Sequence, residues 1–291
     1  MTIRTQLVTG ATGKTGKYVV KTLLDKGQRV RALVHEEDER SDALKALGVD
    51  IVAGDLLDHD DVLRATEDVQ TAYFCYPIRP GLIQATAYFA HAAKKNGLEL
   101  VVNMSQISAR EDSESHAARD HWIAERVLSD SGAPVLHIRP TLFAEWLTFP
   151  WVRDRIVNEG IIALPFGEGT HAPIAAEDQA RFIATALTEP ARFAGRTIRL
   201  FGAEDLSQAQ IAEKVGKVLG RPVEYKPETL EQYRESLIGY GVWDILVQHF
   251  LAIAVDYQNG IFAGTDDAIR KETGVAPMTV EAFVEANRDA F

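Results

Sequence analysis

Between Thr5 and Leu24 the chain passes from a short apolar run through Gly10, Gly13 and Gly16 into a segment with Tyr18, Val19, Val20, Leu23 and Leu24 at helical spacing. A strand, three glycines at intervals of three, and then a helix make the turn that opens a doubly wound nucleotide-binding sheet. Gly10 takes the backbone angles of a tight turn, Gly13 admits a pyrophosphate close to the chain, and Gly16 lets the helix lie near the sheet. The amides at the helix start then face the phosphates. Gly10, Thr12, Gly13, Lys14, Thr15 and Gly16 are therefore the expected phosphate cradle.

The second apolar run, Gln28 to His35, ends without the carboxylate that holds the ribose hydroxyls of NAD. Arg31 and His35 stand on it instead, while Glu36, Glu37 and Asp38 follow slightly later. This favours NADP(H) over NAD(H), with Arg31 and His35 as expected contacts of the 2′-phosphate; a solvated loop position is the other reading of His35. The third strand, Asp50 to Asp55, brings Asp55 and Leu56 to the edge where the adenine lies. Asp55 reads equally well as the cap of a helix over Asp58 to Ala65.

Thr71 to Cys75 is strand four, stopped by Tyr76-Pro77-Ile78-Arg79-Pro80-Gly81, a loop expected over the nicotinamide half and including Tyr76. A helix over Leu82 to Lys95 leads to strand five, Leu98 to Ser105, whose end brings Ser105, Gln106 and Ser108 to the cleft. The helix from Asp120 to Leu128 precedes strand six, Pro134 to Ile138. This alternation specifies an α/β fold, a Rossmann-type parallel sheet with helices on both faces and a smaller, mainly helical C-terminal lobe. Residues 1–140 form the NAD(P)-binding domain, with 174–200 returning to it; 141–173 and 201–291 form the substrate- or partner-binding lobe. Leu142, Phe143, Trp146, Leu147, Phe149 and Trp151 either wall a pocket for a flat apolar substrate, with Phe143 and Trp146 as its contacts, or make the lobe's own core.

Composition narrows the partners. With 46% apolar residues in 291, the chain can bury an enzyme-sized core. Its 31 basic residues against 42 acidic ones give a net charge of −11, which disfavours direct nucleic-acid binding. The single cysteine, Cys75, excludes an intrachain disulfide, and no leader or membrane-length apolar run stands out, so a cytoplasmic protein with no membrane contact is expected. His116 and His121 lack metal-ligand spacing, and Ser105 is not in a G-x-S-x-G elbow, so neither metal nor serine-hydrolase chemistry is expected.

V-T-G-A-T-G-K-T-G at Val8 to Gly16, G-D-L-L-D at Gly54 to Asp58, A-E-R-V-L-S-D-S-G at Ala124 to Gly132, I-R-P at Ile138 to Pro140 and T-G-V-A-P-M-T-V-E-A-F-V at Thr273 to Val284 occur in that order. The series resembles the NmrA-like branch of atypical short-chain dehydrogenases across essentially the whole chain. That resemblance implies NAD(P) binding, and either cytosolic reduction of quinones, dyes or other conjugated acceptors, or non-catalytic redox sensing through a protein partner; a homodimer is compatible with both. Carbonyl-reducing relatives carry a Tyr and a Lys four apart on the helix after strand five. Matching Glu125 to the family's acidic residue puts Ala117 at the Tyr place and His121 at the Lys place, so the phenol is missing and His121 becomes the candidate catalytic residue. A quinone-like acceptor spreads the arriving charge and needs a positioned acid less than an isolated carbonyl does, which favours NAD(P)H-dependent reduction of such a molecule.

Overall fold

In a computed structural model that describes residues 4–291, six strands pair in parallel: β1 (Thr5–Thr9), β2 (Arg29–Val34), β3 (Asp50–Ala53), β4 (Thr71–Phe74), β5 (Leu100–Met104) and β6 (Val135–Pro140). Their order is β3-β2-β1-β4-β5-β6, and the strand Arg196–Leu200 takes the seventh place beside β6. The order reverses between β1 and β4, and ligands of such sheets bind beyond the strand ends at that reversal. The helices are α1 (Gly16–Asp25), α2 (Glu39–Ala46), α3 (His59–Thr66), α4 (Leu82–Lys95) and α5 (His116–Asp130).

One apolar layer explains how one face of the sheet is closed. Leu7, Leu33, Ala72, Phe74 and Val101 from the strands pack with Val62 of α3, Phe89 of α4 and Leu128 of α5. The alternation of strand side chains sends Val8 and Tyr73 to the opposite face, where they are fully buried. Polar side chains start the crossover helices. Asp38 accepts from the amides of Arg40 and Ser41 to start α2, and Asp58 accepts from Asp60 and Asp61 to start α3. The cap of α3 is thus Asp58, and Asp55 instead accepts from the Leu57 amide at 2.8 Å, tightening the turn before it.

The chain divides into two compact units. The first comprises 4–111, 120–139 and 179–198 and holds the sheet's core; the second comprises 112–119, 140–178 and 199–291. Within the second unit, short strands pair as Thr170–His171 with Leu206–Ser207 and Ile161–Ile162 with Glu224–Tyr225, surrounded by helices. The helix Gln208–Leu219 ends on Gly220 at φ +71°, the left-handed stop signalled by the glycine in the sequence. Among the described residues no helix is long and apolar enough to cross a membrane.

Candidate cofactor site

The glycine turn is built by hydrogen bonds and exclusion. Gly10 adopts φ +62°, and the Gly13 amide donates to its carbonyl at 2.9 Å. A Cβ on Gly16 would stand 2.0 Å from that carbonyl oxygen and 2.9 Å from Ala11 Cα, so the first turn of α1 is closed against β1 only because Gly16 has no side chain. A Cβ on Gly13 would meet the same oxygen at 3.1 Å, and Gly13 itself is exposed. Thr9 fastens the turn's base: its hydroxyl donates to the Cys75 carbonyl at 3.0 Å and receives the Cys75 amide at 2.8 Å, joining the ends of β1 and β4. Helix α1 begins at Thr15 with no side-chain cap and no acidic residue in its first turn. Its leading amides and the positive end of its dipole therefore meet no carboxylate of their own helix, which suits an anion.

The adjoining strand ends supply His35, Asp55 and Leu56. His35 Nδ1 lies 3.8 Å from an Asp55 oxygen, and the His35 side chain is 65% exposed. Asp61 holds the turn below them, accepting the Asp55 amide at 2.9 Å; that bond and the Arg64 guanidinium keep its carboxyl below the usual range despite the opposing effect of burial. Arg31 departs from expectation. Its Nε pairs with Asp50 at 2.6 Å, and its Nη1 donates to the carbonyl of Glu67 at 2.7 Å, just past the end of α3. It stands three residues before the end of β2, about 10 Å back along the strand. The guanidinium is thus committed away from the glycine turn, and the structure does not bring it to His35.

Tyr76 is placed in the loop after β4, but its hydroxyl is used within that loop, donating to the Pro80 carbonyl at 2.9 Å. Arg79 lies over its ring at 5.2 Å, and the ring is buried. Tyr76 thus shapes the loop.

Beneath the ends of β5 and β6 a polar layer joins the expected Ser105 and Glu125 to Asn103, Ser129, His137 and Arg139, for which the sequence suggested no site role. Asn103 and Ser105 follow Val101 on one face of β5, and His137 and Arg139 follow Val135 on β6. Helix α5 presents His121, Glu125 and Ser129 at four-residue spacing to this layer. Glu125, 3% exposed, accepts Arg139 Nε at 2.8 Å, Arg139 Nη2 at 2.6 Å and the Ser105 hydroxyl at 2.6 Å. One turn deeper, His137 bridges Asn103 and Ser129 at 3.0 Å on each side. Burial alone would raise the Glu125 carboxyl, but the Arg139 and Ser105 bonds outweigh it and hold it below the usual range. Burial pushes His137 down to about 4. The signal was present in the sequence as polar residues at alternate positions, N-M-S and H-I-R, inside otherwise apolar strands.

His121 occupies the turn of α5 before Glu125 and is 6% exposed. Burial, partly opposed by Glu125, lowers it to about 4, and its Nδ1 has no hydrogen-bond partner. At neutral pH it is an uncharged ring, with one N–H to donate and one nitrogen to accept, and is almost never the imidazolium that a general acid needs. Phe143 and Trp146 belong to the second unit. Phe143 bridges Ile174, and Trp146 is buried with its ring 6.3 Å from His171 and its Nε1 unpartnered. Phe149 and Trp151 instead pack with Phe250, so the aromatic run serves more than one contact group.

A seven-stranded sheet reversing between β1 and β4, with a glycine turn after β1, defines a Rossmann-type α/β protein. The chain belongs to the NmrA-like family, which is matched over residues 3–284. It is 30% identical over 287 residues to the NAD(P)H azoreductase of Xenophilus azovorans, covering 98% of each chain. Its fold is similar to that of the NADPH-dependent quinone oxidoreductase QOR2 of Escherichia coli complexed with NADPH, with a TM-score of 0.87, 22% identity, and coverage of 97% of this chain and 99% of that one. It is similar also to the negative transcriptional regulator NmrA in complex with NAD, with a TM-score of 0.83, 18% identity and coverage of 98% and 95%.

Proposed function

We infer that the protein is an NAD(P)H-dependent oxidoreductase that reduces a quinone-like or other conjugated small molecule. The observation that carries this reading is the glycine turn: a first helical turn without acidic residue or side-chain cap, packed on β1 through Gly16 and exposed at Gly13. Its residues fit a pyrophosphate. The similarity to an enzyme named for NAD(P)H-dependent azo reduction supports a reductase.

When bound, the reduced nicotinamide supplies a hydride, two electrons and one proton's nucleus together, and leaves oxidised. The chain's task is to bind, orient and exclude competing reactions. Gly10, Thr12, Gly13, Lys14, Thr15 and Gly16 would hold the phosphates, and Asp55 and Leu56 would border the adenine. Helix α5 reads HAARDHWIAERVLSD and carries neither a tyrosine nor a lysine. With His121 neutral, the proton that completes reduction comes from solvent, which suits an acceptor that delocalises the incoming charge. His121 then has a positioning role. With Arg31 engaged elsewhere, preference for NADP(H) rests on His35.

Loss of 340-nm absorbance, followed with NADPH and NADH across quinones, azo dyes and enones, tests the reading. Protein-dependent oxidation with at least one conjugated acceptor is expected; saturable cofactor binding with no oxidation across the panel would contradict it.

A further inference from the structure

We propose that Ser105 serves the site as a fixed hydrogen-bond acceptor, receiving an N–H or O–H donor from the nicotinamide half of the cofactor, and does not donate to the substrate. A serine hydroxyl has one proton to give and lone pairs that accept; an ionised carboxylate can only accept. Both Glu125 oxygens are held by Arg139, and Oε2 also receives Arg126 Nη1 at 3.2 Å. A carboxylate so surrounded is ionised, so the proton in the 2.6 Å bond between Ser105 and Glu125 belongs to Ser105. Only lone pairs remain on that hydroxyl.

Turning the proton toward a substrate carbonyl would strip a donor from a carboxylate that is 3% exposed, at the cost of a charge-assisted bond. The Ser105 amide is also tied, donating to the Ile138 carbonyl at 2.9 Å, so the residue's backbone is fixed beside β6. Ser105 follows β5 directly, in the half of the sheet formed by β4, β5 and β6, opposite the half that begins with the glycine turn. In a two-half nucleotide-binding sheet this half takes the second nucleotide. The nicotinamide nucleotide offers a carboxamide NH2, which only donates, and ribose hydroxyls, which also can donate; an acceptor-only serine matches either one. This inference rests on the cofactor reading above.

The experiment titrates wild type and Ser105→Ala with NADPH and with its 3-acetylpyridine analogue, in which a methyl group replaces the carboxamide NH2. Steady-state kcat and KM for menadione are measured in parallel. Wild type is expected to bind NADPH roughly fivefold to tenfold tighter than the analogue, the worth of one hydrogen bond. Ser105→Ala should bind both like the analogue, whereas Ser105→Thr, which keeps the hydroxyl, should retain the preference and show that the alanine effect is not misfolding. Equal weakening toward both ligands in Ser105→Ala also supports the acceptor role and assigns the donor to a ribose hydroxyl. Unchanged affinity for both ligands, with kcat for menadione reduced, would overturn the proposal by making Ser105 a donor to substrate. If wild type binds neither ligand, the cofactor reading itself fails and this role falls with it, an outcome distinct from unchanged affinity in the variant.

Discussion

Gly16 and Gly13 sit three residues apart in one motif, yet they are intolerant of side chains for different reasons. At Gly16 an added Cβ would lie 2.0 Å from the Gly10 carbonyl oxygen, inside backbone that cannot swing away. Gly16→Ala should therefore destabilise the fold by more than about 2 kcal/mol, read by urea denaturation. At Gly13 the added atom meets that oxygen at 3.1 Å, a milder contact, and the position is exposed, so Gly13→Ala should cost less stability than Gly16→Ala while weakening cofactor binding by about tenfold in a calorimetric titration. The sequence displayed these glycines plainly because the turn's chemistry is local. Arg31 was misread for the converse reason: its partners, Asp50 and the Glu67 carbonyl, lie 19 and 36 residues onward. Strand pairing brings Asp50 to Arg31 and the end of α3 brings Glu67, and no local pattern announces either.

The packing of α5 against β5 and β6 is the element on which the candidate site depends most. Glu125 links the helix to Ser105 and Arg139, and removing it leaves a guanidinium with no carboxylate beside it. Glu125→Ala should cost about 3 kcal/mol, measured by chemical denaturation. His137 and His121 give the same layer a pH dependence. Both bind protons near 6.5 when unfolded and only near 4 in the fold, so protonation favours unfolding. Stability is full above about pH 6.5 and falls as pH drops toward 4, by up to about 1.4 kcal/mol per pH unit for each histidine. His137→Gln should flatten the slope between pH 6 and 4.5 by roughly that amount, and an unchanged slope would refute the assignment. The four-residue step from His121 to Glu125 was legible in the sequence, whereas Ser129 lies one residue beyond the helix expected over Asp120 to Leu128. Which strands they meet was not legible, because that depends on the order of β5 and β6 in the sheet.

At the scale of the whole chain, alternating strands and helices made the parallel sheet readable from the sequence, and the family series of motifs agreed with it. The second unit was less legible: its strands are two residues long, and helices such as Leu230–Gly239 have polar partners at many positions, so their periodicity is faint. On the proposed cofactor reading, the choice between NADP and NAD would also be a long-range property, made where His35 and Asp55 meet at the ends of β2 and β3. His35→Asp should shift the ratio of NADPH to NADH affinity toward NADH by about tenfold, because a carboxylate repels a 2′-phosphate and accepts ribose hydroxyls.

Hydride transfer to a conjugated acceptor is tested most directly with NADPH deuterated stereospecifically at C4, prepared in both configurations and oxidised by the protein in the presence of a quinone. Transfer within a fixed site predicts that deuterium is lost from one configuration and retained in the oxidised cofactor from the other. Equal loss from both configurations, or no oxidation of a cofactor that binds, would contradict the account.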